Sequence, residues 1–284
     1  MKLRREDLKH CKQIFKNHSS TYFFATKFFN QEIREATYVV YAFFRVPDEI
    51  VDNPKYDQKK RIRKELENFK KKWRKAYASE NVDDPVLRAA AAVFKKYNIP
   101  FEYSQSFLKA MITDTKKARY KNYRELKEYM YGSAAAVGLI MSYIIGFSKK
   151  SALKYAKKLG YAMQLTNFLR DIKEDYQQRN RIYLPIAELK NYGLSEEDVE
   201  NEVVNHNFQD FMQFQIKRTR DLYRDAKKGV PMLDDSGRYP VKLALILYRK
   251  YLDKIEQADY DIYNSDLSLT LWDKFQSIYQ AYFL

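Results

Sequence analysis

The chain has 284 residues and a formal charge of +15, from 52 Lys and Arg against 37 Asp and Glu. Seven glycines and seven prolines are few for this length, which argues against a turn-rich β protein and favours long helices. No linker, repeat or shift in composition divides the chain, so we predict one all-α domain over residues 1–284. The single cysteine, Cys11, and the charged N-terminal segment predict a reducing, cytoplasmic location.

Apolar residues recur at three- and four-residue spacing in nine segments separated by Gly, Pro and Asn. The predicted helices cover residues 4–17, 31–52, 58–78, 84–97, 101–114, 122–147, 149–177, 196–228 and 238–260. The apolar run at 132–147 is shorter than the ~20 residues that span a bilayer, so we predict a buried helix there. Its small residues at 132–138 suit either close helix packing or a lipid-like ligand.

The basic surface attracts polyanions, which include nucleic acid, anionic lipid and diphosphate esters. No zinc-finger, RNP or basic-zipper pattern accompanies the scattered basic residues, so we predict solvated helix faces and no nucleic-acid partner.

The predicted helix at 31–52 ends in RVPDEIVD. Asp48 and Asp52 lie one turn apart on the same face, ~5–6 Å from each other, where like charges repel unless a cation lies between them. Carboxylate oxygens are the ligands that Mg²⁺ prefers, and Arg45 is placed to pair with Asp48 or with a phosphate oxygen. Alone, such a pair is more typical of a solvated helix face than of a metal site.

A second stretch, QLTNFLRDIKED, places Gln164, Asn167, Asp171 and Asp175 on one polar stripe between apolar residues. Such a stripe indicates a lined cavity. Two facing helices with these ligands would hold several Mg²⁺ ions, a cluster that suits a diphosphate whose charge the metals neutralise as it leaves.

These two stretches, with YMYGSAAAVGL and RIYLP, resemble the squalene/phytoene synthase family in composition, order and spacing, from residues 18–21 to 260–263. The resemblance implies a single-domain helical bundle of the isoprenoid synthase type with a central cavity. It also implies Mg²⁺-dependent head-to-head joining of two allylic diphosphates through a cyclopropylcarbinyl diphosphate. The DE-x-x-D form of the first motif is similar to that of phytoene synthases, which favours geranylgeranyl diphosphate as substrate.

The resemblance also assigns residues. It implies metal ligation, by several Mg²⁺ or substituting Mn²⁺, at Asp48, Asp52, Asn167, Asp171 and Asp175. It implies a role for the four aspartates in catalysis, with Tyr129 guiding a proton or stabilising a carbocation. The implied substrate-binding residues are His18, Ser19, Ser20, Thr21, Tyr41, Arg45, Gln164, Arg170, Arg181, Tyr183 and Tyr248.

Each assignment has a structural alternative. Ser19 and Thr21 can cap a helix, His18 can be a structural histidine, and the tyrosines can be ordinary half-buried residues. Two functional alternatives also stand: a farnesyl diphosphate-using dehydrosqualene or squalene synthase, the latter needing NADPH, and a non-catalytic helical scaffold on membranes. Because the substrate tail is a lipid, we expect peripheral contact with an anionic membrane surface.

Overall fold

The computed structural model describes residues 3–52 and 59–283, and they form α-helices without a β-strand. A break predicted at Asn53-Pro54 lies outside the described residues. The helices are α1 (Arg5–His18), α2 (Ser20–Thr26), α3 (Gln31–Asp52), α4 (Lys59–Tyr77), α5 (Pro85–Lys96), α6 (Phe101–Asp114), α7 (Tyr123–Met130), α8 (Ala136–Ile145), α9 (Ala152–Arg170), α10 (Ile172–Arg179), α11 (Ile186–Asn191), α12 (Glu196–Glu200), α13 (His206–Lys227), α14 (Asp235–Gln257) and α15 (Leu271–Phe283).

Two groups of helices surround a central cavity. On one side, α1, α3, α4 and α5 pack together around Phe43, Trp73 and Phe94, whose rings contact one another. On the other side, α9 packs against α8, α13 and α14. The fold thereby holds the first acidic motif, on α3, across from the second, at the α9–α10 junction.

Three predicted helices are interrupted, and each interruption has a local cause. Residues 122–147 form α7, a π-helical turn at Tyr131–Ala135, and α8. The prediction of one helix over 196–228 is wrong, because Asn205 caps a new helix by accepting a hydrogen bond from the Phe208 amide. The segment predicted at 149–177 breaks at Asp171, whose backbone leaves helical geometry (φ −104°, ψ 17°).

The short helices α2 and α11 and the terminal helix α15 are absent from the sequence prediction. Ser19 caps α2, since its Oγ accepts a hydrogen bond from the Tyr22 amide at 3.3 Å. The structural alternative considered for Ser19 is therefore correct, although the same residue also lines the cavity.

Candidate active site

One cavity of about 760 Å³ occupies the centre of the bundle. Every residue assigned from the sequence lines it, so the structure brings together positions that are up to 230 residues apart. They are His18, Ser19, Ser20, Thr21, Tyr41, Arg45, Asp48, Asp52, Tyr129, Gln164, Asn167, Arg170, Asp171, Asp175, Arg181, Tyr183 and Tyr248.

The first acidic motif occupies the last two turns of α3. Arg45 donates a hydrogen bond to Asp48 Oδ2 at 2.6 Å, and His18 Nε2 lies 2.9 Å from Glu49 Oε1. Burial, together with the charge of Asp52 one turn away, raises the pKa of Asp48 to about 6, although 42% of its side-chain surface remains open to the cavity. A carboxylate held at this cost suits a site that binds cations.

The second motif spans the break between α9 and α10. Arg170 donates to both oxygens of Asp171, at 2.6 and 2.7 Å, in a bidentate pair, and its guanidinium lies over the Tyr251 ring. Burial raises the pKa of Asp175 to about 7, with a further contribution from Asp171. Asn167 Oδ1 is buried and accepts no hydrogen bond from the described residues.

Arg179 joins the two motifs and was not assigned from the sequence. Its Nε lies 2.9 Å from Asp52 Oδ1, and its NH1 donates to Asp175 Oδ1 at 3.2 Å. Arg181 NH1 lies 3.7 Å from the same Asp52 oxygen. The carboxylates of α3 and α10 therefore approach closely enough to share one guanidinium, which places the two motifs at the same end of the cavity.

Hydrogen bonds to the segment between α6 and α7 hold the RIYLP segment in place. The Ile182 amide donates to the Ala118 carbonyl at 2.9 Å, and Arg119 holds Asn180, whose left-handed backbone (φ 49°) ends α10. This arrangement directs Arg181 and Tyr183 into the cavity, where both are buried.

A buried carboxyl that the sequence reasoning missed lies beside them. Tyr129 Oη donates to Asp114 Oδ2 at 2.5 Å, Tyr183 Oη donates to Oδ1 at 3.4 Å, and Arg181 donates to the Asp114 carbonyl at 3.0 Å. Burial raises the pKa of Asp114 to about 7 despite the opposing charge of Arg181. Tyr183 also stacks on Phe168 with ring centroids 4.1 Å apart. The carboxyl thus lies beside a group of stacked aromatic rings, and both the carboxyl and the rings line the cavity.

The remaining assigned tyrosines also make aromatic contacts. Tyr41 stacks on Phe15 at 3.8 Å, and Tyr248 stacks on Tyr22 at 4.5 Å. Thr21 Oγ1 lies 3.0 Å from the Tyr251 hydroxyl. Tyr22 and Tyr251 also line the cavity and were missed, because single tyrosines in a chain with 25 of them give no sequence signal.

The small residues at 132–138 serve mainly as a packing seam. A Cβ on Gly138 would lie 2.6 Å from the Ala156 carbonyl oxygen, and one on Gly160 would lie 2.6 Å from that of Ala134. Both roles considered for this run are present: Ala134 and Gly138 also line the cavity, whereas Ala135 and Ala136 are fully buried and do not line it. Helical periodicity turns these two away from the cavity.

Comparison with known proteins identifies this architecture. Residues 15–273 match the family described as squalene/phytoene synthase. The chain belongs to the squalene/phytoene synthase family. A 15-cis-phytoene synthase of Synechococcus elongatus is 31% identical over 96% of this chain and 91% of its own length. A chloroplastic phytoene synthase of an Oncidium hybrid is 34% identical over 96% of this chain, which spans 66% of that relative.

Solved structures of the family share the fold. A dehydrosqualene synthase in complex with a ligand superposes with a TM-score of 0.90 over 98% of this chain and 96% of its own, at 24% sequence identity. The predictions of an all-α isoprenoid synthase bundle and of this family are confirmed.

The cavity of this synthase-family chain is acidic, although the chain as a whole is basic. Of the described residues, its lining holds four arginines, no lysine and six acids: Asp48, Asp52, Asp114, Asp171, Glu174 and Asp175. Within that part of the chain, no three carboxylate, His or Cys groups lie close enough to hold an ion by themselves. The buried acceptor of Asn167 and the acids raised in pKa nevertheless fit divalent cations whose remaining ligands are diphosphate oxygens.

Proposed function

We propose that this protein condenses two geranylgeranyl diphosphate molecules head to head into phytoene, through a cyclopropylcarbinyl diphosphate, with release of diphosphate. Family membership makes the chain an enzyme of prenyl transfer. The finer assignment is supported by 31% identity to a phytoene synthase along almost the whole chain, and by two aspartate pairs at the polar end of one long cavity.

The metal requirement is argued from charge. The cavity lining has more acids than arginines, so cations that accompany a diphosphate would reduce its repulsion from the ionised acids. We assign Mg²⁺, or Mn²⁺ in its place, to Asp48 and Asp52 on α3 and to Asn167, Asp171 and Asp175 on α9 and α10. Ions held by these residues would supply positive charge that neutralises the diphosphate as a leaving group. Arg45, Arg170 and Arg181 lie at the same end of the cavity and bind diphosphate oxygens.

The protein's own residues handle the carbocation and the final proton. The stacked faces of Phe168, Tyr183 and Tyr129 exclude water and stabilise positive charge. Because Tyr129 Oη donates a hydrogen bond to Asp114 Oδ2, its lone pairs are free to accept a proton from the cation when Asp114 is ionised. When it does so, its original proton passes to Asp114, which ends as a neutral acid.

The length of the substrate chain distinguishes phytoene synthesis from the C15-using alternative. The structural neighbour named dehydrosqualene synthase is 24% identical to this chain and shows the fold alone, so the C15-using alternative requires a direct test. Purified protein with Mg²⁺ and equimolar farnesyl and geranylgeranyl diphosphates should give mainly a C40 hydrocarbon by mass. A mainly C30 product would replace the assignment with a dehydrosqualene or squalene synthase. No release of diphosphate would favour the non-catalytic scaffold.

We also propose that the protein works in the cytoplasm at the surface of an anionic membrane, since its substrate and product are lipids. Within the described ranges, no helix combines the length and apolarity needed to cross a bilayer. The +15 charge supports electrostatic contact, which salt should weaken. Equal sedimentation with anionic vesicles at low and high ionic strength would contradict this part of the proposal.

A further inference from the structure

The terminal helix α15 has an unusual distribution of side chains. Its large side chains face solvent: Leu271, Trp272, Phe275, Tyr279, Tyr282 and Phe283 are each between 61% and 84% exposed. Across the described residues, the other exposed large apolar side chains are Phe28, at 38%, and Tyr131, at 36%, and both are much less exposed than these six. The spacing from Trp272 to Phe275, Tyr279 and Tyr282 follows one helix face. We call these six residues the aromatic face of α15.

The opposite face of α15 carries small side chains and is held against the bundle by hydrogen bonds and an ion pair. Ser277 and Ala281 are buried against the bundle. Lys254 Nζ lies 3.2 Å from Asp273 Oδ2, Lys250 donates to Gln276, and Tyr239 on α14 donates to the Ile278 carbonyl at 3.3 Å. A helix that buries small residues and exposes its aromatic ones presents a contiguous apolar surface, which is typical of an interaction site.

This helix lies next to the apolar part of the cavity. It packs on α14, and Lys274 reaches over the Phe24 ring of α2. The cavity is lined by Ala25 on α2, by Phe29 shortly after that helix, and by Pro240, Val241 and Ala244 on α14. The aromatic face therefore lies outside the helix pair that separates the cavity from solvent on this side.

We propose that the aromatic face of α15 docks on an anionic bilayer and places the α2–α14 side of the cavity against lipid. Trp and Tyr are suited to the bilayer interface because an apolar ring carries one polar group. Lys27, beside the exposed Phe28, and Lys274 add positive charge at its edge. A second copy of the chain fits less well, because both partners would carry these lysines and the same net charge of +15. The inference rests on the proposed lipid substrate.

The two tryptophans make the test direct. Trp73 is fully buried, whereas Trp272 is 63% exposed on the aromatic face. Vesicles of phosphatidylcholine with phosphatidylglycerol should shift the emission of the native chain to shorter wavelength, and lipids with a bromine-labelled acyl chain should quench it. Trp272→Phe should abolish both signals, because Trp73 remains shielded.

Binding itself is tested by substitution. Phe275→Ser with Tyr279→Ser should lower the partition coefficient onto these vesicles at least ~10-fold, whereas Tyr131→Ser, an exposed aromatic on another surface, should leave it unchanged. Turnover of detergent-dispersed substrate should stay within about two-fold of the native value in both variants. If the native chain itself did not turn over detergent-dispersed substrate, the proposed function would be wrong, whereas the docking proposal would still be tested by vesicle binding.

Three outcomes overturn the proposal. One is a double variant that binds vesicles as strongly as the native chain does. Another is an emission of Trp272 that lipid does not change. The third is a native dimer that the double variant converts to monomer without a change in vesicle binding, which would identify a second copy of the chain as the occupant of this face.

Discussion

Replacement of Asp114 by Asn tests whether this buried carboxyl titrates and accepts the proton that Tyr129 passes on. Burial raises its pKa from 3.8 to about 7 in the folded chain. A raised acid pKa means that the folded state binds the proton more tightly, so this contribution to stability is complete below about pH 4 and is lost as pH rises through about 7. Between about pH 5 and pH 8, the native free energy of unfolding should fall by ~2.5 kcal/mol relative to Asp114→Asn.

Equilibrium urea unfolding of both proteins at the two pH values, followed by circular dichroism, measures that difference. Titrating groups distant from Asp114 are common to both proteins and cancel. Turnover of Asp114→Asn should fall ~10²-fold, since the neutral amide cannot take the proton that Tyr129 passes on. A stability difference that does not vary with pH, together with unchanged turnover, would refute both the buried titration and the proton transfer.

Three further predictions concern the metal ligands, the cavity wall and the packing seam. Asp48→Asn or Asp171→Asn should reduce turnover at least ~10²-fold with the helical signal intact, and near-normal activity in saturating Mg²⁺ would contradict the metal assignment. Ala134→Phe should shift product in a C15/C20 competition toward C30, with Ala134→Ser as the matched control; an unchanged ratio would place this residue away from the substrate tail. Gly160→Ala should cost ~1–3 kcal/mol in urea unfolding, because its Cβ would lie 2.6 Å from the Ala134 carbonyl, and native stability would refute the close contact.

The sequence predicted most of the helical framework, because apolar periodicity depends on local spacing alone. It did not predict the breaks inside the segments 122–147, 149–177 and 196–228. The end of α9 at Asp171 and the new cap at Asn205 depend on single polar residues inside strongly helical patterns. The short helix α2 was missed for a related reason: seven residues give too few turns for a periodic signal.

The candidate site shows a different limit. All assigned residues line one cavity, yet their chemical roles stay predictions, and the sequence missed Asp114 and Arg179 altogether. Each occupies the last turn of a helix, where Arg179 looks like an ordinary favourable partner of the helix dipole. Asp114 is the more informative omission, since an acid at that position opposes the dipole. Such a local conflict is a sequence signal for a functional constraint.

The distribution of charge connects the two proposals. Basic residues dominate the whole chain, but carboxylates outnumber arginines in the cavity lining, and lysine is absent from that lining among the described residues. General attraction of anions therefore acts at the outer surface, where salt screens it. Under the proposed metal assignment, binding of diphosphate inside the cavity would require cations held by these acids, and a screened surface would not remove that requirement. Vesicle binding should thus fall with salt but persist without Mg²⁺, whereas turnover of detergent-dispersed substrate should depend on Mg²⁺ and respond weakly to moderate salt. If both activities followed salt alike, the separation of an acidic catalytic cavity from a basic docking surface would be wrong.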